Sequence, residues 1–303
     1  EMAPGAKPAP GGYQDPATKA RLAEALKQGK PAVGPVTEGC DIPDNAYYDG
    51  GVAQTAAKRI REFADKKQPF FLAVGFVKPH LPFIAPKKYW DLYDRKALPL
   101  AAFQQWPSGS PEIAQLRPGS GEVRSYAGMP QSGPFSEELQ RQLLHGYAAC
   151  VSYVDAQVDL LLKTLEQAGV ANNTIICLWG DHGWHLGEKH RWRKFALWEE
   201  ATKAPFMWVV PGLTKPNTIC ERTVDFMSIF PTLTELCGIP TPAHNEGVSI
   251  RRLLADPKAP WDLPARTTHK FNNHTVRTEG WRYIRYANGD EELYDHEDRK
   301  SVV

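Results

Sequence analysis

Apolar positions along this 303-residue chain fall into three kinds of run. The first kind is helical. From Asp44 onward, Val52, Ala56, Ile60 and Phe63 share one face while Lys58, Arg59, Arg61 and Glu62 share the other, which is amphipathic-helix spacing. A longer helix is predicted over 137–167, with Leu139, Leu143, Tyr147, Val151, Val154, Val158, Leu161 and Leu165 as its apolar stripe. Ser136 stands where an N-cap is needed and Gly169 where the chain must leave the helix. A further helix starts at the capping Asp225 and runs to about Cys237, closed by Gly238, and a short one fits 15–28. The second kind is continuous: 70–76, 174–179 and 206–210 read as strands covered on both faces. The third is the tail, VRTEGWRYIRY, a turn at Asn288-Gly289 and EELYD, which reads as short antiparallel strands.

Strands alternating with helices predict an α/β fold, with a mostly parallel central sheet, helices on both faces and a small antiparallel C-terminal subdomain. The expected organisation is an extended lead-in over 1–45, rich in Pro, Gly and Ala, an α/β domain over 46–265 and the small subdomain over 266–303.

Composition narrows the function classes. Lys plus Arg (36) balance Asp plus Glu (35), so no overall field draws the chain to nucleic acid. No apolar run has the length of a membrane span, and the opening EMAPGAKPAPGGYQDP has no apolar segment of the kind a signal peptide carries. The five cysteines are widely spaced, without a CxxC pair, which argues against a zinc knuckle or a disulfide framework. The 26 prolines and 9 tryptophans suit a loop-rich protein with aromatic surfaces, as a sugar or aryl ligand would use.

Ligands of open parallel sheets bind beyond the C-terminal ends of the strands. Two polar clusters hold that position: Lys78-Pro79-His80 after the first strand, and Asp181-His182 after the second, with Lys194 thirteen residues on. Asp181 offers a hard oxygen suited to Ca²⁺ or Mg²⁺, and Lys78, His80 and Lys194 can neutralise an anionic ester. The residues alone leave a second reading open. Asp181-His182-Gly183 is also a turn closed by an Asx hydrogen bond, and His80 is also a loop histidine between prolines. His145, His244, His269 and His296 read as structural or surface residues, while His185 and His190 flank the second cluster.

Five stretches, in order over about 44–297, resemble sulfatases of the alkaline-phosphatase-like superfamily, in the iduronate-2-sulfatase and choline-sulfatase branch. They are FFLAVGFVKPHLPFIAPKKYWDLY, HGYAACVSYVDAQVDLLL, TIICLWGDHGWHLGEKHRWRKFALWEEATKAPFMWVVPG, VDFMSIFPTLTELCGIP and the tail. The resemblance implies a sulfuric ester hydrolase acting on a sulfated small molecule or glycan. It assigns His80 and Lys194 to catalysis and Asp181 and His182 to a divalent cation, usually Ca²⁺, while Lys78, Trp184 and His185 are candidates for contacting substrate. It also implies a formylglycine nucleophile made from a C/S-x-P/A-x-R motif, and a periplasmic, secreted or lysosomal location. No Cys or Ser of these 303 residues opens that motif, so the nucleophile and the remaining metal ligands are expected in a segment outside the chain. The alternatives are a phosphate or phosphonate monoesterase of the same superfamily, or a non-catalytic glycan-binding fragment.

Overall fold

The structure, a computed structural model, describes residues 12–115, 121–296 and 301–302. The chain forms two compact units. Of the described residues, the first comprises 12–104, 121–173 and 186–193, and the second comprises 105–115, 174–185, 194–296 and 301–302.

The first unit contains α1 (Pro16–Lys27), β1 (Thr37–Cys40), α2 (Tyr48–Lys66), β2 (Phe83–Pro86), α3 (Lys87–Trp90), α4 (Gly121–Arg124) and α5 (Glu137–Gln167). Helix α5 has the predicted limits: Ser136 Oγ accepts from Leu139 N–H at 3.3 Å, and Gly169 turns the chain at φ 71°. β1 and β2 pair in parallel, Thr37 opposite Phe83. They pack under α5 because Gly146 lets them approach; a Cβ there would lie 2.8 Å from Phe83 Cβ. The buried face of α5 therefore runs through Leu143, Gly146, Ala149, Cys150 and Tyr153, whereas Val151, expected inside, is exposed. Close packing has selected the face with small residues over the face with the largest apolar area.

Tyr153 fastens α5 to the start of α2, donating to the Asp44 carbonyl at 2.8 Å while accepting from Gly50 N–H at 2.6 Å. His145 is structural, as expected. Its Nε2 lies 2.7 Å from the Trp90 carbonyl and its Nδ1 accepts from Arg95 Nε at 3.2 Å, so the ring is the neutral Nε2–H tautomer.

Residues 70–76, expected as a covered strand, have no ladder partner among the described residues. Their side chains alternate between exposed and half-buried, and Phe71 is 82% exposed.

The second unit contains β3 (Ile176–Trp179), α6 (Glu199–Thr202), β4 (Phe206–Val209), α7 (Ile229–Leu236), α8 (Arg251–Ala255) and the sheet β5 (Ala265–Thr268), β6 (His274–Arg277), β7 (Trp281–Arg285), β8 (Glu291–Asp295) and β9 (Ser301–Val302). That sheet is antiparallel throughout, in the order β5-β6-β7-β8-β9, as the tail pattern predicts. Its inner face packs Ile284 and Tyr286 against Leu197, Trp198 and Ala201. The α/β class stands, but β3 and β4 pair antiparallel where their sequence suggested parallel neighbours. Residues 180–205 between them hold no helix longer than α6, so they lack the crossover that a parallel pair requires.

All five cysteines are free, and burial pushes the thiols of Cys150 and Cys177 up to about 12. Among the described residues, no helix is long and apolar enough to cross a membrane.

Candidate active site

Lys78 and His80 belong to the first unit. They lie in a turn between residues 76 and 83 that contains two prolines, both preceded by cis peptides. Proline has no N–H, so this turn is short of backbone donors. One backbone bond closes it, from His80 N–H to the Val77 carbonyl at 2.9 Å. Side chains supply the rest. The carboxylate of Asp49, buried in the first turn of α2, accepts from Val77 N–H at 2.9 Å and Lys78 N–H at 2.8 Å. The Lys78 ammonium donates to the carbonyls of His80 and Pro82, each at 2.7 Å. Desolvation pushes the Asp49 carboxyl up, against the pull of the two N–H groups and of Lys78. It pushes the Lys78 ammonium down, opposed by Cys150 and Asp49.

The imidazole of His80 is held at both nitrogens. Nδ1 is 2.8 Å from the Leu81 carbonyl, which can only accept, and Nε2 is 3.2 Å from Oε1 of Glu122 on α4. A carbonyl can only accept, so Nδ1 is the donor there and Nε2 is the nitrogen turned to the carboxylate. Asp49 and Glu122 were not singled out in the sequence. The acidic residue in the first turn of α2 is an ordinary helix-start feature, and nothing in the local pattern around Glu122 points to a histidine 42 residues away.

Asp181, His182, Trp184, His185 and Lys194 belong to the second unit. Asp181 and His182 follow β3 on a sharp turn bounded by glycines. Gly183 N–H donates to the Ala201 carbonyl at 2.9 Å, and a Cβ on Gly183 would fall 2.1 Å from the Glu200 carbonyl oxygen and 2.4 Å from that of Lys203. Both obstacles are backbone, so the close approach requires glycine. The turn leaves the Asp181 side chain 85% exposed, with Oδ2 at 3.3 Å from His182 Nε2. His182 Nδ1 is 2.8 Å from the Gly183 carbonyl, which fixes the ring beside the carboxylate.

Lys194 is half-buried, its Nζ 5.8 Å from the centroid of the Trp184 ring and 5.7 Å from that of Phe195. His185, a candidate for contacting substrate, is instead wholly buried. Its Nε2 lies 3.5 Å from Glu200 Oε2 and its ring meets Trp198 edge-on at 6.0 Å.

The C-terminal sheet carries the loop that holds these groups. Arg282 on β7 donates to the Leu197 carbonyl at 3.0 Å and also to the Glu199 carboxylate, which Arg277 of β6 reaches at 3.2 Å. Burial works to raise the Glu199 carboxyl, but the two guanidinium groups outweigh it and hold it below the usual carboxylate range. One residue earlier, Trp198 Nε1 donates to the buried Glu292 carboxylate at 3.2 Å, which also takes bonds from the hydroxyls of Tyr286, Tyr294 and Ser110. Periodicity located the sheet; its charged side chains reveal what it supports.

A family model described as Sulfatase matches residues 16–239, and another, N-sulphoglucosamine sulphohydrolase, C-terminal, matches 180–301. The chain belongs to the sulfatase family. Over 231 residues, 76% of this chain and 44% of the relative, it is 41% identical to a sulfatase of Formosa agariphila. It is 33% identical to the iduronate 2-sulfatase of Mus musculus across 67% of this chain and 42% of that one. It thus spans less than half the length of these two sulfatases. Among solved structures, the phosphonate monoester hydrolase of Agrobacterium radiobacter shares the fold, with a TM-score of 0.72 at 20% identity over 93% of this chain and 63% of that chain.

Proposed function

We propose that the protein to which this chain belongs hydrolyses sulfate esters of a carbohydrate. Family membership supports the reaction class, and similarity to an iduronate 2-sulfatase supports a sulfated sugar acid or related glycan as the substrate class. The observation that carries the reading for this chain is the placement of the His80 ring. With Nδ1 engaged by a carbonyl, its Nε2 is the position from which a proton can reach the leaving oxygen of an ester. Lys194 contributes positive charge for the sulfate group, held against Trp184 and Phe195.

The exposed Asp181 carboxylate is a hard donor set on a turn that glycine alone permits, which suits Ca²⁺, with Mg²⁺ as the second choice. Asp181 and His182 would be part of its ligand set; among the described residues no group of three or more His, Cys, Asp or Glu side chains converges. A divalent cation held by Asp181 and His182 would supply positive charge for the sulfate group, and a formylglycine would supply the nucleophile. His80, Lys194, Asp181 and His182 are the chain's own contribution. Location in a periplasmic, secreted or lysosomal compartment goes with this reading.

The test is a panel assay on the full-length protein: an aryl sulfate, sulfated monosaccharides and a phosphonate monoester. Sulfate turnover that falls at least about 100-fold in His80→Ala supports the reading. Preference for the phosphonate would move the protein to the neighbouring class, and glycan binding without any turnover would make it a binding protein.

A further inference from the structure

Lys78 carries the positive charge nearest His80 in sequence, and the chemistry of sulfate esters invites a direct role for it. Its position argues otherwise. Both of its recorded bonds go to backbone carbonyls, those of His80 and Pro82. The carbonyl between them, of Leu81, is the one that holds the imidazole Nδ1. Three successive carbonyls are thus each met by a side-chain donor, in a turn whose prolines leave it poor in backbone N–H groups. The other end of the turn is fixed by Asp49, whose two oxygens take the N–H groups of Val77 and Lys78.

We propose that Asp49 and Lys78 form a clamp of positioning residues that sets the direction of the His80 imidazole, and that Lys78 makes no contact with substrate. The catalytic meaning of the clamp rests on the reading of His80 given above, but its geometry does not. Gripping the carbonyls on both sides of Leu81 fixes the plane of that residue's carbonyl. The carbonyl in turn fixes the tautomer and tilt of the ring, as second-sphere groups do for metal-bound histidines. Asp49, from the first turn of α2, and Lys78 bring opposite charges to the same turn, so each partly offsets the burial of the other.

Three measurements on the full-length protein test the clamp. In the wild type, Lys78 should resist acylation by an amine reagent under conditions that label exposed lysines, because its ammonium is engaged by two carbonyls. In Lys78→Met, kcat should fall between about 10- and 100-fold with KM within about twofold, the signature of a misplaced catalytic group. The imidazole ¹⁵N spectrum of His80, which in the wild type should show the proton held on Nδ1, should then show exchange of that proton between the two ring nitrogens. Asp49→Asn should change the same spectrum in the same direction, and it carries the test if Lys78→Met does not fold.

Rapid acylation of Lys78 in the wild type would overturn the proposal. So would a Lys78→Met protein whose His80 spectrum is unchanged while inorganic sulfate binding weakens tenfold or more, since that pattern marks a direct anion ligand. The spectrum and the labelling do not depend on turnover. A protein with no sulfatase activity but a reoriented His80 ring in both variants would keep the clamp and remove only the reaction assigned to it.

Discussion

Oε1 of Glu122 sits 3.2 Å from Nε2 of His80, the nitrogen from which a proton would leave. The carboxylate puts negative charge at the place where an anionic ester would approach. Both side chains are about one-third exposed, so the pair is worth roughly 0.2–1 kcal/mol. Glu122→Gln should therefore tighten binding of inorganic sulfate by between about 1.5- and 5-fold, measured by calorimetry on the full-length protein at low salt. Unchanged or weaker binding would mean that Glu122 does not compete with the anion.

Glu199 gives a prediction about pH. Its folded carboxyl lies below the usual range because Arg282 and Arg277 outweigh its desolvation. A carboxyl depressed on folding contributes stability above its unfolded value and loses it as pH falls through the folded value. Glu199→Gln should be less stable than wild type by about 1–3 kcal/mol near neutrality, and the gap should close below the ordinary Glu range. Denaturant melts at neutral and acidic pH measure this. A gap that widens on acidification contradicts the assignment.

Gly183→Ala places a methyl group against two carbonyl oxygens that belong to backbone and cannot rotate away. The turn carrying Asp181 and His182 must shift, at a cost of about 1–3 kcal/mol. In calorimetry, calcium binding should weaken along with the melting temperature. A variant with wild-type stability and calcium affinity would show that the close approach is not required.

The exposed apolar groups of the first unit predict how the 303-residue chain behaves by itself. Phe71 and Val77 point outward from a segment with no ladder partner among the described residues, and Val151 is exposed on α5. Exposed apolar, strand-like segments invite association. The isolated chain should bind a hydrophobic dye and self-associate, and Phe71→Ser should reduce both. A monomer that binds no dye would contradict this.

What could be read from sequence follows the range of each signal. Helix α5 was legible to the residue because its stripe, its Ser136 cap and its Gly169 exit are local. The C-terminal antiparallel strands were legible because alternation and an Asn-Gly turn are local as well. The face of α5 that is buried was not, since it depends on how closely β2 approaches Gly146. The antiparallel pairing of β3 with β4 was hidden too, because continuous apolar runs carry no direction. At the site, motif position drew attention to His80, Asp181 and Lys194. The roles of Asp49, Glu122 and Glu199 depend on partners 28, 42 and 83 residues away. For His185, adjacency to Asp181 and His182 suggested contact with substrate, whereas its burial was not legible because it depends on Trp198 and Glu200.

The central claim is that the protein is a carbohydrate sulfatase in which His80 delivers a proton to the leaving oxygen. The direct measurement compares wild type and His80→Ala on two sulfate esters with leaving groups of different acidity, a sugar alcohol and an activated phenol. The account predicts a loss of roughly 100-fold or more in kcat/KM on the sugar sulfate and a much smaller loss on the phenyl sulfate, because an acidic phenol leaves without a proton donor. Equal losses on both esters, or no loss on the sugar sulfate, would contradict it.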